Sequence, residues 1–370
     1  MLRLVLGNLE QPRKNRKPKG ENMRIDPDVK LDFSDVLILP KRSTLSSRSE
    51  VSLEREMRFK HSNASWTAVP VIASNMDTVG SFAMARALDK RKMATCLHKF
   101  HPEPALARFY QETDAESRGR MFYSMGISKS DYEKFLRVQE QTGGLVQSIC
   151  LDVANGYQES FVKFLGMLRE VHPHLTIMAG NVVSREMTEH LILAGADIVK
   201  VGIGSGSACL TRRVAGVGCP QLSAILDCAD AAHGLDGMIC SDGGCVHPGD
   251  VAKAFAAGSD FTMLGGMLAG YDECDGEDVV GPDGKKYLKF HGMSSKEAMD
   301  QHYGGMAAHR ASEGREVLVE KKGPVDDRLQ EIMGGVRSAC AYVGARKLKH
   351  LAKCATFIRV SRQLNDVFAR

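Results

Sequence analysis

The chain lacks the features that would place it in a membrane or on a nucleic acid. No stretch of its 370 residues approaches the roughly 18 to 20 uninterrupted apolar residues of a membrane-spanning helix. An excess of one charge sign is also missing, because the 348 residues after position 22 carry 43 basic and 43 acidic side chains. A neutral body has no long-range field for a phosphate backbone, so a polynucleotide partner is disfavoured.

The sequence also lacks the cysteine spacings that are typical of metal-binding sites. The ten cysteines form no Cys-x-x-Cys pair and show no zinc-ligand spacing with histidine. Several lie in apolar runs, where cysteine behaves as a small core residue. A chain of this length does not need disulfides to fold. We therefore expect reduced thiols and a cytoplasmic protein.

Residues 1–22 account for the whole net charge of +4, with six Lys/Arg and two acidic side chains. Their only apolar run is Leu4-Val5-Leu6, which is too short for a secretory signal. We predict a disordered basic leader over residues 1–22 and a single folded domain over residues 23–370.

An internal repeat is the strongest pattern in this domain. Residues 177–202 and 239–265 each hold a short apolar strand, a Gly/Asn turn, a helical stretch and a second apolar strand ending in Gly. Asp197 and Asp260 occupy matching positions, 63 residues apart. Each block has the pattern of a βαβ unit, and continuous apolar strands imply a parallel sheet covered on both faces.

Eight such strands are predicted along the chain, each followed by a stretch long enough for a helix. They are centred on residues 69–73, 93–97, 121–125, 146–151, 176–179, 198–201, 238–241 and 261–264, with a last helix near 329–351. This pattern predicts an α/β fold of the (β/α)8 TIM-barrel type. A doubly wound open sheet is the alternative, but no G-x-G-x-x-G follows the first strand.

Two segments exceed a minimal barrel. A glycine-rich loop covers residues 202–218 after the sixth strand, and a flap insertion covers residues 270–323 after the eighth. The flap is predicted to begin with a hairpin around Pro282-Asp283-Gly284. Long excursions at the carboxyl ends of barrel strands are usually active-site loops and lids.

Polar side chains follow most of the predicted strands. They are Asn75, Asp77, Lys99, Asp152, Asn181, Cys209 and Asp242. Each alone has a structural explanation as a turn former, a helix cap or a surface charge. Seven in register predict an active site at the carboxyl face of the barrel.

The loop that contains Cys209 is the sharpest element. Its alternate glycines, within residues 202–206, expose backbone amides and carbonyls that could bind an anion or a monovalent cation. A nucleophilic thiol needs donors or positive charge nearby, and Arg212 and Arg213 follow at once. A buried structural cysteine is the alternative.

Bare glycines also follow the last two barrel strands, at residues 243–244 and 265–266. Barrels commonly bind phosphate in these two loops, where backbone amides are open. Asp242 would repel a phosphate but could accept hydrogen bonds from ribose hydroxyls. A phosphate site, a ribose acceptor and a thiol together indicate a mononucleotide whose ring carbon is attacked.

These residues resemble the inosine-monophosphate dehydrogenase and guanosine-monophosphate reductase superfamily, over about residues 25–368. The motifs that carry the resemblance are Gly204-Ser205-Gly206-Ser207-Ala208-Cys209 with Thr211, Ser241-Asp242-Gly243-Gly244, Met263-Leu264-Gly265-Gly266 and Gly292-Met293-Ser294-Ser295. The dehydrogenase branch usually carries CBS modules after the second strand, and there is no room for them here. The family's water-activating Arg-Tyr pair is absent from residues 270–323. Residues 33–37, 152–157 and 310–314 resemble the reductase branch.

The resemblance implies that the chain uses NADPH to convert GMP into IMP and ammonia, in purine salvage, through a thioimidate on Cys209. It implies a proton relay through Thr211 and Glu313. Implied substrate-binding residues are Ser207, Asp242, Gly243, Gly244, Gly265, Gly266, Gly292, Met293, Ser294, Arg310, Ala311, Ser312 and Gly314. Implied cofactor-binding residues are Ser47, Arg48, Lys99, Asp152, Val153, Ala154, Ile203, Gly204, Met293, His309, Arg310, Ser338, Ala339, Cys340 and Ala341. Carbonyls of Gly204, Gly206, Cys209 and Arg212 are implied as ligands of K⁺, and a homotetramer as the assembly.

Three departures from the family pattern stand near these sites. Ser205 replaces a usual Pro, so a looser loop is expected. Leu210 replaces Thr, and His309 replaces a Tyr expected against the cofactor. Two other functions remain open at this point: a dehydrogenase without its regulatory insert, and a purine-nucleotide-binding barrel without catalysis.

Overall fold

The computed structural model describes residues 25–305 and 311–361. Its strands are β1 (Val36–Ile38), β2 (Arg55–Arg58), β3 (Ser65–Ala68), β4 (Val71–Ala73), β5 (Ala94–Leu97), β6 (Met121–Met125), β7 (Ser148–Asp152), β8 (Thr176–Val182), β9 (Ile198–Val201), β10 (Met238–Asp242), β11 (Phe261–Leu264), β12 (Asp278–Val280), β13 (Lys286–His291), β14 (Glu316–Glu320) and β15 (Phe357–Arg359). Its α-helices are α1 (Phe82–Asp89), α2 (Glu103–Glu112), α3 (Ala115–Arg118), α4 (Lys129–Thr142), α5 (Glu159–Val171), α6 (Arg185–Leu193), α7 (Thr211–Val214), α8 (Gln221–His233), α9 (Pro248–Ala256), α10 (Lys296–Tyr303), α11 (Asp326–Val343) and α12 (Leu351–Cys354).

Strands β4 to β11 form a closed parallel barrel. Each pairs with the next along the chain, and β11 closes the ring by pairing Thr262 with Val71 and Leu264 with Ala73 of β4. The eight predicted strands agree with these bounds to within three residues at either end. The (β/α)8 TIM barrel is therefore confirmed, and the open-sheet alternative is wrong because the first and last strands are hydrogen-bonded to each other.

Local chemistry sets where the helices begin and end. In α4, the Ser128 side chain caps the first turn by accepting from the Asp131 amide, and Gly143 ends the helix at φ +63°. The prediction of one last helix near residues 329–351 is wrong in its bounds. Helix α11 ends at Gly344, whose φ of +76° turns the chain, and a separate short helix follows.

The amino-terminal end of the barrel is closed by the β2–β3 hairpin, which the sequence did not predict. Trp66 of β3 packs edge-on against Phe261 at 5.1 Å between ring centroids. Asp197 and Asp260, the matching positions of the repeat, lie here at the starts of β9 and β11. Each is buried and accepts the amide of a residue in the preceding barrel strand, Ile177 or Ile239. The repeat thus ties neighbouring strands together at this end.

The opposite end carries the two long excursions. The flap contains a three-stranded antiparallel sheet, β12–β13–β14, and helix α10. The predicted hairpin is confirmed, with Gly284 at φ +76° in the turn between β12 and β13. Among the described residues, no helix is both long and apolar enough to cross a membrane. The predicted leader over residues 1–22 lies outside the described residues.

Candidate active site

A cleft of about 260 Å³ opens at the carboxyl ends of the barrel strands, between the barrel loops and the flap. We call it the top cleft. It is lined by five of the seven polar residues that the strand pattern singled out: Asn75, Asp152, Asn181, Cys209 and Asp242. Lys200, Ser207, Thr211, Glu313 and four bare glycines of the predicted phosphate turns lie there with them. The structure thus brings together most of the predicted site.

The floor of the top cleft is a network of charged and amide side chains around Lys200. The Lys200 Nζ lies 2.9 Å from Asp152 Oδ1 and 2.7 Å from Asp242 Oδ2. Asn75 donates to the other oxygen of Asp152 at 2.8 Å, and Asn181 donates to Asp242 at 2.8 Å. The Lys200 ammonium therefore connects β9 to β7 and β10. The loop after β4 joins the network through the hydrogen bond from Asn75 to Asp152.

The floor network keeps its charges in spite of burial. Burial disfavours the ionised form of Asp152, but the Lys200 ammonium and the Asn75 amide hold the pKa of this carboxyl below its usual range. Burial likewise disfavours the charged form of Lys200, yet its two carboxylate neighbours raise its pKa well above the usual value. Two carboxylates share one cation, so the floor carries a formal excess of one negative charge.

Lys200 is the functional residue that the sequence analysis missed. It lies inside β9, in the run Ile198–Val201, and its side chain is only 4% exposed. The periodicity treats this run as one more apolar strand. The lysine itself could have indicated a functional site, because a lysine in a strand covered on both faces is rare unless it pairs with an acidic side chain.

The Cys209 thiol stands at the edge of the same cleft. Its Sγ donates to Thr211 Oγ1 at 3.2 Å, and the residue is only partly buried. Other cysteines are packed in the core, where burial raises the pKa of Cys228 and of Cys340 to about 12. These two remain protonated thiols near neutral pH. Cys209 differs from these core cysteines, because its thiol lies in the cleft beside a hydroxyl group.

The flap is hydrogen-bonded directly to the loop that holds Cys209. The Leu210 amide donates to the Glu313 carbonyl at 2.6 Å, and the Arg315 amide donates to the Ala208 carbonyl at 3.0 Å. Cys209 and Gly314 form an antiparallel bridge between these bonds. This seam places Glu313 in the wall of the top cleft, within the same small structure as the thiol.

The predicted phosphate turns leave little room for side chains. Gly243 and Gly244 have φ values of +85°, which favour glycine. A Cβ on Gly243 would lie 2.9 Å from Ser205 Oγ, and a Cβ on Gly266 would collide with Ser207 Oγ. The backbone amides of both turns can therefore be approached closely by an anion.

Ser205 makes a contact that proline cannot make. Its hydroxyl donates to the Asp242 carbonyl at 2.9 Å, which ties the cysteine loop to the end of β10. The expectation of a looser loop considered only the loss of the proline ring at position 205. The hydrogen bond restrains the loop at the same position.

Arg212 does not direct its charge at the thiol as the sequence suggested. Its guanidinium donates to the Cys219 carbonyl at 2.7 Å and pairs with Asp32 at 3.3 Å. Its side chain also covers Gly204, where a Cβ would lie 2.6 Å from Arg212 Cγ. Within the described chain, the carbonyls of Gly204, Cys209 and Arg212 accept no hydrogen bond, whereas that of Gly206 accepts one from the Cys209 amide at 3.1 Å. Open carbonyls of this kind fit a monovalent cation.

Several predicted residues do not line the top cleft of the single chain. Asp152, Val153, Ala154, Ile203, Gly204 and Met293 of the implied cofactor set do line it. Lys99 instead pairs with Asp131 at 3.5 Å, and Asp77 is held by two histidines of the flap. The implied residues away from it are Ser47, Arg48, Ser338, Ala339, Cys340 and Ala341, together with Ala311 and Ser312 of the flap. His309 and Arg310 lie outside the described residues.

Comparisons with known proteins show the family to which the chain is similar. Residues 30–365 match the family model described as the IMP dehydrogenase / GMP reductase domain. The chain is 56% identical over 348 residues to a GMP reductase of Aeromonas hydrophila, covering 94% of this chain and 100% of the relative. It is 55% identical over 345 residues to a GMP reductase of Caenorhabditis elegans, covering 93% and 96%. A crystal structure of GMP reductase from Trypanosoma brucei in complex with guanosine 5'-monophosphate shares the fold, with a TM-score of 0.80 at 24% identity and coverage of 90% of this chain and 96% of that one.

Proposed function

The chain belongs to the IMP dehydrogenase / GMP reductase family, and from this premise we propose that it is a GMP reductase, which converts GMP to IMP and ammonia at the expense of NADPH in purine salvage. The observation that carries the proposal is the Cys209 thiol 3.2 Å from the Thr211 hydroxyl, in the cleft that also holds Glu313 and the bare glycine turns. Curated relatives named GMP reductase, at 55% and 56% identity over nearly the whole chain, support it.

GMP binds in one orientation in this proposal. Its phosphate lies on the amides of the glycine turns at residues 243–244 and 265–266 and on Ser207. Asp242 accepts hydrogen bonds from the ribose hydroxyls. The base lies against Gly292, Met293, Ser294 and Gly314, which line the top cleft. C2 of the purine ring then faces Cys209.

The first chemical step exchanges ammonia for sulfur. The Cys209 thiolate adds to C2, and the exocyclic amino group leaves as ammonia once it has gained a proton, so that a C2–S bond replaces the C–N bond. The Thr211 hydroxyl relays that proton over a short distance, and the Glu313 carboxylate determines the direction in which the proton moves. The seam between residues 208–210 and 313–315 supports this division, because it holds both groups in one structure.

The second step needs a hydride donor. NADPH, when bound, supplies the hydride that adds to C2 as the C2–S bond breaks and IMP is released. Asp152, Val153, Ala154 and Met293 fit this cofactor because they line the cleft beside the thiol. Ser47, Arg48 and residues 338–341 of the same chain lie away from the cleft. In this proposal the corresponding residues of a neighbouring subunit in a homotetramer would help to hold the cofactor.

A monovalent cation such as K⁺ fits the cysteine loop. Gly204, Gly206, Cys209 and Arg212 would hold it through their carbonyl oxygens, three of which accept no hydrogen bond within the described chain. The ion would stiffen the backbone on both sides of the thiol. All ten cysteines are free thiols, which fits a reducing compartment such as the cytoplasm. Residues 23–370 form one catalytic domain in this proposal.

An assay with GMP and NADPH tests the proposal against its two alternatives. Loss of the reduced-nicotinamide absorbance, with IMP and ammonia formed in equal amounts, is the expected result. Reduction of NAD with IMP as substrate would instead indicate a dehydrogenase. No turnover in either mixture, with GMP still bound, would indicate a binding protein without catalysis.

The Cys209→Ser variant tests the covalent step. We expect turnover to fall by at least about 10⁴-fold, because a serine hydroxyl is not ionised near neutral pH and no base in the cleft replaces the thiolate. GMP binding, measured by calorimetry, is expected to persist. Cys354→Ser, at a partly buried thiol in α12, is the matched control and should turn over normally. Normal turnover by Cys209→Ser would contradict the mechanism.

A further inference from the structure

A second cavity, of about 680 Å³, lies between the barrel loops and the flap, outside the top cleft. At its edge, Asp77 accepts hydrogen bonds from two histidines of the flap on the same oxygen. The His291 Nε2 lies 3.0 Å from Asp77 Oδ2, and the His302 Nε2 lies 2.7 Å from it. We call these three residues the flap clamp. Neither histidine was singled out by the sequence.

The flap clamp is a buried charge contact between two parts of the molecule. Asp77 comes from the loop after β4 and is only 8% exposed. His291 ends β13, and His302 lies in the last turn of α10. The second Asp77 oxygen is buried and accepts no hydrogen bond. The carboxylate therefore depends on the two flap imidazoles for its stabilisation.

Aromatic contacts extend the clamp. The His302 ring stacks on Phe100, from the loop after β5, at 3.6 Å between centroids and an interplanar angle of 8°. The Lys99 ammonium lies 5.4 Å from the centre of the Tyr303 ring, which adds a cation–π contact from the same barrel loop. Two barrel loops thus hold two elements of the flap.

The clamp is directly continuous with the top cleft on both sides. Asp77 follows Met76, which lines the cleft, and Asn75, which donates to Asp152. His291 precedes Gly292, whose amide donates to the Arg315 carbonyl in the seam with the cysteine loop. A shift of the flap at the clamp would therefore move the wall of the cleft.

We propose that Asp77 is a positioning residue for the reaction, which seats the flap over the top cleft through an ion pair with His291 and His302 and releases it as pH rises. The proposal rests on the proposed function, since the seated flap borders the bound base. The clamp itself does not touch the reacting atoms.

The direction of the pH effect follows from the titration of the pair. The hydrogen bond to Asp77 raises the pKa of His291 in spite of burial. Burial alone would raise the pKa of Asp77, but the two flap imidazoles lower it. A raised histidine pKa contributes stability below the unfolded value of 6.5, and this contribution is lost as pH rises through the folded value. The flap is thus held most tightly from about pH 6.5 down to the pH at which Asp77 becomes protonated, and it is released as pH rises through the raised pKa of His291.

Other titratable groups also line the second cavity. They are His98, His101, Asp275, Glu277, Lys289, Glu297 and Glu316. Burial lowers the pKa of His101 to about 4, so this ring stays neutral across the range in question. Glu297 and Glu316 face His291 and act in the same direction as Asp77.

His98, His101 and Asp275 each place a possible metal-ligand atom within 4.8 Å of the other two, but two of the ring nitrogens are hydrogen-bonded within the protein. The His98 Nδ1 accepts the Phe100 amide at 3.2 Å, so the proton lies on the nitrogen that faces Asp275. The rings of His98 and His101 stack at 3.5 Å with an interplanar angle of 23°. The His101 Nε2 lies 3.0 Å from the Gly80 carbonyl oxygen.

Amide hydrogen exchange tests the clamp without any substrate. Peptides within residues 291–303 should exchange faster, relative to barrel peptides, as pH rises through the His291 titration. The His291→Gln variant keeps an amide donor but cannot carry the charge. We expect its flap peptides to exchange faster than those of the unmodified chain below about pH 6.5, and to match them at high pH.

A matched control exists at the other end of the barrel. The His233 Nε2 lies 2.9 Å from Asp260 Oδ2, and this hydrogen bond raises its pKa in the same way. His233→Gln should leave flap exchange unchanged at every pH. Equal flap exchange in the unmodified chain and in His291→Gln at all pH values would overturn the proposal. So would the same change in His233→Gln.

Steady-state kinetics test the link to the reaction. We expect the KM for GMP to rise as pH increases through the His291 titration, because the contact that seats the flap beside the bound base is then weakened. In His291→Gln, the KM should be high and independent of pH, whereas His233→Gln should follow the unmodified chain. A KM in His291→Gln that keeps the original pH profile would contradict the positioning role. If no GMP turnover occurs at all, the proposed function fails, and hydrogen exchange still decides the clamp.

Discussion

Lys200 connects parts of the active site that come from separate strands. Its ammonium group is the only described cation paired with both Asp152 and Asp242, the side chains proposed for the cofactor and for the ribose. Both carboxylates were predicted, because each directly ends a strand at the carboxyl face. Lys200 could not be predicted in the same way. The criterion used was a polar residue directly after an apolar strand, and Lys200 lies inside one.

Replacing Lys200 with Met should expose how much the site depends on this cation. The variant leaves two carboxylates close together without a counter-charge, so we expect a loss of about 3–5 kcal/mol in the free energy of unfolding. We also expect GMP affinity to fall, since Asp242 loses the contact that fixes it. Urea denaturation and calorimetry with GMP measure the two effects separately.

Lys253→Met is the comparison for this variant. Lys253 is also buried, and it donates to the Phe33 carbonyl at 3.0 Å and pairs with Asp250 at 3.5 Å, away from the top cleft. It should lower stability while leaving GMP affinity as it was. If both variants weakened GMP binding equally, the effect of Lys200 would be one of stability alone.

At the scale of elements, the barrel strands followed from periodicity, whereas the β2–β3 hairpin beneath the barrel did not. Continuous apolar runs such as Phe261–Leu264 are buried on both faces, so their sequence signal is strong. Strands β2 and β3 have alternating burial and end in a tight turn, and their place under the barrel depends on distant contacts such as Trp66 on Phe261. The flap clamp was missed for the same reason, because Asp77 and His291 are 214 residues apart.

Two adjacent glycines in α11 should respond oppositely to the same substitution. A Cβ on Gly334 would meet nothing within 4 Å, so Gly334→Ala should raise the free energy of unfolding by about 0.5–1 kcal/mol. A Cβ on Gly335 would lie 2.6 Å from the Cβ of Pro248, the first residue of α9. Gly335→Ala should therefore lower stability by about 1–3 kcal/mol through overpacking.

Urea denaturation of the two alanine variants measures the difference directly. Each variant is the other's control, because helix propensity changes equally in both. A gain in stability for both would mean that α11 can move away from α9 without cost.

At the scale of the whole molecule, stability and chemistry lie at opposite ends of the barrel. The buried Asp197 accepts the amides of His61 and Ser62 at 2.8 and 3.1 Å, which fixes the hairpin beneath the barrel. It also pairs with Arg169 at 2.7 Å. The top cleft, in contrast, keeps charged and glycine-rich segments that contribute little to packing. This division is expected for TIM barrels.

Asp197→Asn should therefore affect folding and spare catalysis. An amide in this position loses the charge opposite Arg169 and places N–H groups against backbone donors. We expect the free energy of unfolding to fall by about 3 kcal/mol, with kcat and the KM for GMP unchanged at a temperature where the variant is folded.

Asp236→Asn is the control for this substitution. Asp236 is exposed, and its φ of +56° suits Asn as well as Asp, so the free energy of unfolding should change by less than about 0.5 kcal/mol. A large loss of activity in Asp197→Asn at full folding would show that the two ends of the barrel are coupled.

The excess negative charge beneath the cleft also has a consequence for what can enter. The floor presents two carboxylates that share a single ammonium, and the glycine turns at residues 243–244 and 265–266 present backbone amides. A phosphate dianion is repelled by the carboxylates and attracted by the backbone amides. The charge distribution of a ligand therefore orients it in the cleft before its base makes any contact. A nucleoside without a phosphate lacks the charge separation that this arrangement favours.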